Sequence, residues 1–265
     1  MFVRRPDGSL VQMTEQAYDF EAVLQSLIAQ HPDLLAGDQI DPERPRRWLL
    51  IDQEVGVPAV EGGGGYWSLD HLLLDQDGVP TLVEVKRSTD TRIRREVVGQ
   101  MLDYAANSVA FIPAERIRSL LKARCAKDGL DPDQEVAALT GADDVEDFWG
   151  QVAVNLEAGR IRLLLVADSI SVELRRIIEF WNRHTDPVEV LGVEVRQFVG
   201  EDLTTLVPQV FGQTVEATEK KTRRGPAREW DEESFFEALG ERGTEAVDMA
   251  RRIIDWARSR GLRIN

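Results

Sequence analysis

The pattern of hydrophobic and polar positions along the chain predicts an α/β protein in which short apolar strands alternate with amphipathic helices. Two such strands, at residues 69–74 and 82–86, flank a turn with the sequence Asp-Gln-Asp-Gly and predict a β-hairpin. A three-residue loop ending in Gly78, which takes the left-handed position, pairs Asp75 with Val79. The turn chemistry therefore fixes the register of the two strands.

This register brings ionisable side chains together on a small patch of sheet. Pairing that continues from the turn places Asp70 directly opposite Glu84. Because side chains alternate along a strand, Glu84 and Lys86 share one face, whereas Val85 points to the other. The same rule predicts that His71 points to the face opposite Asp70.

Further elements follow from apolar periodicity, apolar runs and their flanking residues. A proline at position 32 closes the first helix, and a near-continuous apolar run at 161–167 predicts a strand buried on both faces. Helices are predicted at 15–30, 91–109 and 172–184, with a helical insertion at about 113–158, and strands at 48–57, 161–167 and 187–199.

The carboxyl-terminal part of the chain has a different composition. Residues 213–229 are rich in Thr, Glu, Lys, Arg, Gly and Pro and contain a basic cluster at 220–226, which predicts a linker. Residues 230–265 predict a small helical module that is too short to bury much core alone. We therefore expect a main domain at 1–212, a linker, and an appended module that packs on the main domain or on a second copy of the chain.

Composition limits the class of protein. The chain has 265 residues, 43% hydrophobic and 30% charged, and no run approaches the ~20 apolar residues that span a bilayer. The amino terminus turns polar too soon for a signal peptide, so we expect a cytoplasmic protein with no membrane partner. Cys125 is the only cysteine, which excludes an intramolecular disulfide and a thiolate zinc site.

Two facing carboxylates suggest a metal site. Like charges opposite each other destabilise a sheet, and a divalent cation between Asp70 and Glu84 would remove that cost. Mg²⁺ suits such a site because it binds few carboxylates and keeps several waters, and Mn²⁺ would substitute for it. The Val85 carbonyl could add a ligand, and Lys86 could hold a water or offset phosphate charge. The alternative is an exposed ion pair with a spare acid on the solvent face of a hairpin.

The chain resembles the PD-(D/E)XK nuclease superfamily. Asp70 is followed after fourteen positions by Glu84 and Lys86, and then by a Gln-x-x-x-Tyr pattern at Gln100 and Tyr104 that resembles the RecB-like and NucS-like branches. Gln100 and Tyr104 are spaced i, i+4, so they share one helix face. Gln100 could order a metal-bound water and Tyr104 could contact a phosphate, although an ordinary amphipathic helix would show the same spacing.

The resemblance covers about residues 15–200. Glu21 resembles the first-helix glutamate of NucS-type mismatch endonucleases, including the helix exit at His31-Pro32. The resemblance implies a restriction-endonuclease-like fold, with a mixed central sheet flanked by helices. It also implies a Mg²⁺-dependent deoxyribonuclease whose catalytic residues are Asp70, Glu84, Lys86, Gln100, Tyr104 and Glu21.

The charge of the whole chain bears on the partner. The formal net charge is −15, which counts against DNA, whereas the basic residues 86–95 that follow the proposed site favour it. DNA is the expected partner, and a homodimer would allow both strands to be cut. Two rival hypotheses stay open, namely a catalytically inactive nuclease-fold module that binds DNA or protein, and an interaction scaffold with no nucleic-acid partner.

Overall fold

The computed structural model describes residues 1–58, 65–88, 98–106, 112–142, 144–213, 235–236, 239–240 and 244–260. The chain divides into two compact units, Met1–Ala227 and Arg228–Asn265. The first unit is an α/β structure with a mixed sheet flanked by helices, which confirms the fold class at that level. The described part of the second unit is helical.

A mixed sheet forms the centre of the first unit. Its strand order is β3-β8-β7-β6-β5-β4, and a seventh strand, β9, pairs with β8 outside this path. The pairs β6–β7 and β7–β8 are parallel, whereas β4–β5, β5–β6, β3–β8 and β8–β9 are antiparallel, and β1–β2 is a separate hairpin. The strands are β1 Phe2–Arg4, β2 Leu10–Gln12, β3 Thr14–Glu15, β4 Trp48–Pro58, β5 Gly65–Asp75, β6 Pro80–Lys86, β7 Arg162–Ala167, β8 Glu189–Gly200 and β9 Leu203–Phe211.

Helices cover both faces of this sheet. The described helices are α1 Glu21–Gln30, α2 Gly37–Ile40, α3 at residues 98–106, α4 Ala114–Asp128, α5 Pro132–Thr140, α6 Val145–Glu157, α7 Val172–His184 and, in the second unit, α8 Thr244–Ser259. The predicted insertion is thus three helices, α4 to α6. Helix α7 begins where the sequence predicts, because the Ser171 hydroxyl accepts a hydrogen bond from the Leu174 N–H.

The core has two layers, one on each side of the sheet. Side chains of α1 pack against Val83 and Val85, whereas α3, the insertion and α7 pack against the opposite face, which includes Leu82. Every residue of β7 is buried, as predicted from its continuous apolar run. The central strands are therefore held rigidly between the two helical layers.

The β5–β6 hairpin has the predicted turn and register. Asp75 N–H donates to the Val79 carbonyl at 3.3 Å, and Gly78 has φ +69°, in the left-handed region. The pairs from Leu74↔Pro80 to His71↔Val83 follow the register derived from the turn. This hairpin positions the residues of the candidate site.

Some boundaries differ from the prediction. Helix α1 starts at Glu21 rather than at residue 15, because Thr14 and Glu15 pair with β8 as strand β3. Strand β9, an edge strand of largely intermediate burial that contains Pro208, was not predicted from the sequence. Edge strands tolerate proline because one side of their backbone needs no sheet partner. The Gln39 side chain covers part of that edge by bonding the Pro208 carbonyl and the Val210 N–H.

Several predictions fall on undescribed parts of the chain. Residues 91–97 and 107–109 of the predicted Gln-Tyr helix, with Arg92, Arg94 and Arg95 among them, lie outside the described residues, as does most of the linker. In the described part of the chain, no helix is long and apolar enough to cross a membrane.

Candidate active site

The site begins where β5 and β6 separate. The described pairing ends at His71↔Val83, and the same register would next bond Val85 to Leu69. The Val85 N–H instead donates to Oδ2 of Asp70, at 2.7 Å. The Asp70 carboxylate therefore replaces the backbone partner of Val85 and lies in the gap between the strands.

Asp70 is held from a second side by helix α1. The Gln25 amide donates to Asp70 Oδ1 at 2.9 Å, so each carboxylate oxygen accepts one hydrogen bond. Burial raises the pKa of Asp70, and these hydrogen bonds and the Lys86 ammonium oppose the rise only in part. The carboxylate is fixed in orientation while its charge is incompletely neutralised.

Glu84 is the most buried acid of the site. It is 2% exposed, and its Oε1 lies 2.7 Å from the Lys86 ammonium nitrogen. Burial, with a further contribution from the Asp70 carboxylate, raises the pKa of Glu84 to about 7. Near neutral pH, this carboxyl group is thus poised between its protonated and ionised forms.

Lys86 lies between acids from two elements. Its ammonium contacts Glu84 and lies 3.5 Å from Oε1 of Glu21, at the first turn of α1. Burial alone would lower the pKa of Lys86, but the attraction of Glu84, Asp70 and Glu21 outweighs it and the pKa is raised. Lys86 is therefore a fixed positive charge.

Tyr104 of α3 lies against the other oxygen of Glu84. Its hydroxyl is 2.9 Å from the Ser68 carbonyl and 3.2 Å from Glu84 Oε2. A phenol has one hydrogen and a carbonyl can only accept, so a protonated Glu84 can donate to Tyr104 while Tyr104 donates to Ser68. Burial raises the pKa of Tyr104, which keeps this hydroxyl protonated.

Gln100 lies one helical turn before Tyr104 on α3. The side chain is partly buried, and its Oε1 is shielded from solvent with no hydrogen-bond partner among the described residues. A buried amide oxygen without a donor is unfavourable unless a water or another group supplies one. Gln100 therefore has an unused acceptor on the helix that carries Tyr104.

Two residues of this region were not identified from the sequence as parts of the site. Gln25 is one turn beyond Glu21, and the i, i+4 spacing that puts both on one face was a usable signal. Glu54 has φ +51° and lies opposite Asp70, because Gln53↔His71 and Val55↔Leu69 pair on either side of it. Its carboxylate also raises the pKa of Asp70, and nothing local in the sequence predicted it.

Asp70 departs from strict alternation, so that Asp70 and His71 do not point to opposite faces as predicted. His71 lies on the α1 face of the sheet with its cross-strand partner Val83. Its Nε2 lies 2.9 Å from the Gln25 carbonyl, so His71 and Asp70 both contact the same residue of α1. Leu69 and Leu72 also pack into one core layer, although alternation puts them on opposite faces. Strand β5 is irregular around Asp70, because the Asp70 side chain takes the place of a backbone group in the hydrogen bonding to Val85.

The donor set fits a hard cation with few protein ligands. Within the described residues, no group of three or more His, Cys, Asp or Glu side chains is arranged to hold a metal ion. The expected set is smaller, with two carboxylates and the Val85 carbonyl. That carbonyl points to the same neighbouring strand as the Val85 N–H, which is the side of Asp70.

Comparisons with known proteins add no identification: no protein-family model, curated protein or solved structure matches the chain. Contacts link four of the expected residues in a chain, Glu21, Lys86, Glu84 and Tyr104, with Asp70 beside Glu84 and Gln100 one turn from Tyr104.

Proposed function

We propose that this protein is a Mg²⁺-dependent DNA phosphodiester hydrolase with a restriction-endonuclease-like fold of the PD-(D/E)XK superfamily. An endonuclease that acts in DNA repair or defence is the form that we expect. The observation that carries the proposal is the end of the β5–β6 hairpin, where the Lys86 ammonium is the cation that the described residues place beside two largely buried carboxylates, Asp70 and Glu84.

The charge balance of this cluster supports a cation. Glu21, Asp70 and Glu84 surround one lysine, and the pKa of each of the two inner acids is raised chiefly by burial. Buried carboxylates are usually paired with cations or coordinate metals, because an uncompensated buried charge is costly. A divalent cation would add to the positive charge of Lys86, which is the cation that the described residues place in this cluster.

Each residue has a chemical role in this proposal. Asp70, Glu84 and the Val85 carbonyl would hold Mg²⁺, which supplies a Lewis acid for the phosphate and a water of lowered pKa. Lys86 stabilises the charge that develops on the phosphate, because its ammonium is fixed by Glu84 and Glu21. Gln100 Oε1 accepts a hydrogen from the attacking water.

A second candidate is a nuclease-fold module that binds DNA or protein without cleaving it. All four carboxylate oxygens of Asp70 and Glu84 already have a donor or an ammonium nitrogen within hydrogen-bonding distance. A site whose acids are satisfied internally has less need of a metal, which favours this alternative. The full set of acids together with the lysine favours activity.

A cleavage assay separates the two. Labelled single-stranded, duplex, mismatched and branched DNA would be incubated with Mg²⁺, Mn²⁺ or EDTA. We expect cleavage by the wild type that EDTA abolishes, and a loss of ~100-fold or more in Asp70→Asn and Lys86→Ala. Lys122→Ala, an exposed lysine on α4, is the matched control and should cleave normally. Asparagine is preferred because alanine would leave the Val85 N–H unpaired.

The outcomes discriminate clearly. Equal cleavage by wild type, Asp70→Asn and Lys86→Ala would show that the activity does not come from this site. Salt-dependent DNA binding without cleavage by the wild type would favour the inactive module. Neither binding nor cleavage on any substrate would leave the interaction scaffold as the surviving hypothesis.

A further inference from the structure

Helix α1 contacts the candidate site twice on one face. Glu21 lies 3.5 Å from the Lys86 ammonium, and Gln25, one turn later, donates to Asp70 at 2.9 Å. Glu21 follows from the family resemblance, whereas no motif of the sequence assigns a role to Gln25. The contact with Gln25 is therefore a separate observation about how the site is built.

Gln25 is itself fixed by the hairpin. His71, 1% exposed, has its Nε2 2.9 Å from the Gln25 carbonyl. A carbonyl only accepts, so Nε2 carries the hydrogen and Nδ1 is the unprotonated nitrogen, which is buried with no partner in the described residues. The ring is held in one tautomer, and its other nitrogen makes no hydrogen bond within the described residues. The hydrogen bond to the Gln25 carbonyl is therefore the polar contact through which His71 holds α1.

These contacts form a closed loop between α1 and β5. The backbone of Gln25 is tied to His71, and its side chain is tied to the neighbouring residue, Asp70. The opposite oxygen of Asp70 is tied to the Val85 N–H. Rotation of the Asp70 carboxylate would break its hydrogen bonds with the Gln25 amide and the Val85 N–H. The orientation of this carboxylate is therefore set before any ligand binds.

We propose that Gln25 is a positioning residue that orients Asp70 for metal coordination, with His71 fixing the helix turn that carries Gln25. This inference rests on the proposed function. Groups that orient a ligating carboxylate commonly change metal affinity by 10–100-fold when they are removed. Each oxygen of Asp70 keeps a second lone pair for the cation while it accepts its hydrogen bond.

The test is Mn²⁺ affinity, measured by isothermal titration calorimetry on the full chain without DNA. We expect Gln25→Leu, which keeps the size and removes the donor, to weaken Mn²⁺ binding by about 10-fold or more. Gln30→Leu is the matched control, because Gln30 is exposed on the same helix and, among the described residues, its amide donates to the exposed Ser26 hydroxyl. Its affinity should stay within about twofold of the wild type.

A purely structural role gives a different pattern. Gln25→Leu would then lower the unfolding midpoint and leave the Mn²⁺ affinity of the folded protein unchanged, which overturns the inference. His71→Leu, which frees the turn of α1, should weaken Mn²⁺ binding in the same direction and to a smaller extent. If that variant does not fold, Gln25→Leu decides alone.

The two proposals fail in distinguishable ways. Absence of Mn²⁺ binding by the wild type at millimolar concentration overturns the proposed function and this inference with it. Binding by the wild type that Asp70→Asn abolishes and Gln25→Leu leaves intact overturns only the role of Gln25. Binding that Asp70→Asn does not affect places the cation elsewhere and overturns both.

Discussion

Replacing Glu84 by glutamine tests whether the buried charge of the site opposes folding. Glu84 is 2% exposed, and burial together with the Asp70 carboxylate raises its pKa to about 7. Between pH 4.5 and about 7, the folded protein therefore holds a proton that the unfolded chain has released. Because the folded state binds more protons in this interval, the free energy of unfolding falls as the pH rises.

The size of the effect follows from the two proton affinities. A tenfold change in affinity is worth about 1.4 kcal/mol, so a pKa of about 7 against the ordinary 4.5 corresponds to about 3 kcal/mol. Glutamine has the size of glutamic acid and no charge. We expect Glu84→Gln to match the wild type near pH 5 and to exceed its free energy of unfolding by up to about 3 kcal/mol at pH 8.

Urea unfolding followed by tryptophan fluorescence from pH 5 to 9 measures this difference. Burial lowers the pKa of His71, so His71 adds stability as the pH rises through 6.5, opposite in sign to Glu84. Both proteins contain His71, so its contribution cancels when the two curves are subtracted. Glu43→Gln, at an exposed position, controls for the loss of one negative charge.

The difference curve can also refute the reasoning. A Glu84→Gln variant that is less stable than the wild type at pH 8 would mean that the ion pair with Lys86 outweighs the cost of burial. A difference that does not change between pH 5 and 8 would mean that Glu84 does not titrate in this range. Burial also raises the pKa of Asp70. Asp70 therefore makes the free energy of unfolding of the wild type fall with rising pH, in the same direction as Glu84.

Two further predictions concern residues that support the hairpin. Tyr104→Phe should lower the free energy of unfolding at pH 7 by about 1–2 kcal/mol, because the hydrogen bonds to Ser68 and Glu84 are lost. An unchanged midpoint of urea unfolding would contradict these contacts. Arg162→Met should cost about 3 kcal/mol, because the fully buried Asp75 loses its 2.9 Å guanidinium partner and keeps the more distant Arg46 guanidinium at 3.8 Å. A loss below 1 kcal/mol in the same assay would contradict this prediction.

Local signals predicted much of this fold. The Asp-Gln-Asp-Gly turn fixed the hairpin register, because a left-handed Gly78 permits only a few strand pairings. The periodic pattern of apolar residues at 172–184 predicted both ends of α7. These elements were predictable because the residues that determine them are neighbours in the sequence.

What the sequence did not predict depends on distant partners. Residues 14–15 are strand because β8, almost 200 residues later, provides an edge for them. The left-handed backbone of Glu54 has no local signature, since glutamate is not a residue that favours positive φ. Gln25 and His71 become parts of the site only when α1 is packed on the hairpin, which no local pattern specifies.

The two ends of the β5–β6 hairpin differ in how many cations lie beside their buried acids. At the turn, the buried carboxylate of Asp75 lies 2.9 Å from the Arg162 guanidinium, which also contacts Glu189, and 3.8 Å from the Arg46 guanidinium. At the open end, Asp70 and Glu84 share one ammonium, and the pKa of both acids is raised. Strand β7 therefore supplies a cation for the buried acid at the turn, whereas Lys86 is the cation that the described residues place beside the two acids of the open end. An arrangement that keeps this unfavourable charge in place does not serve the stability of the fold, and it is what the proposed cation site predicts.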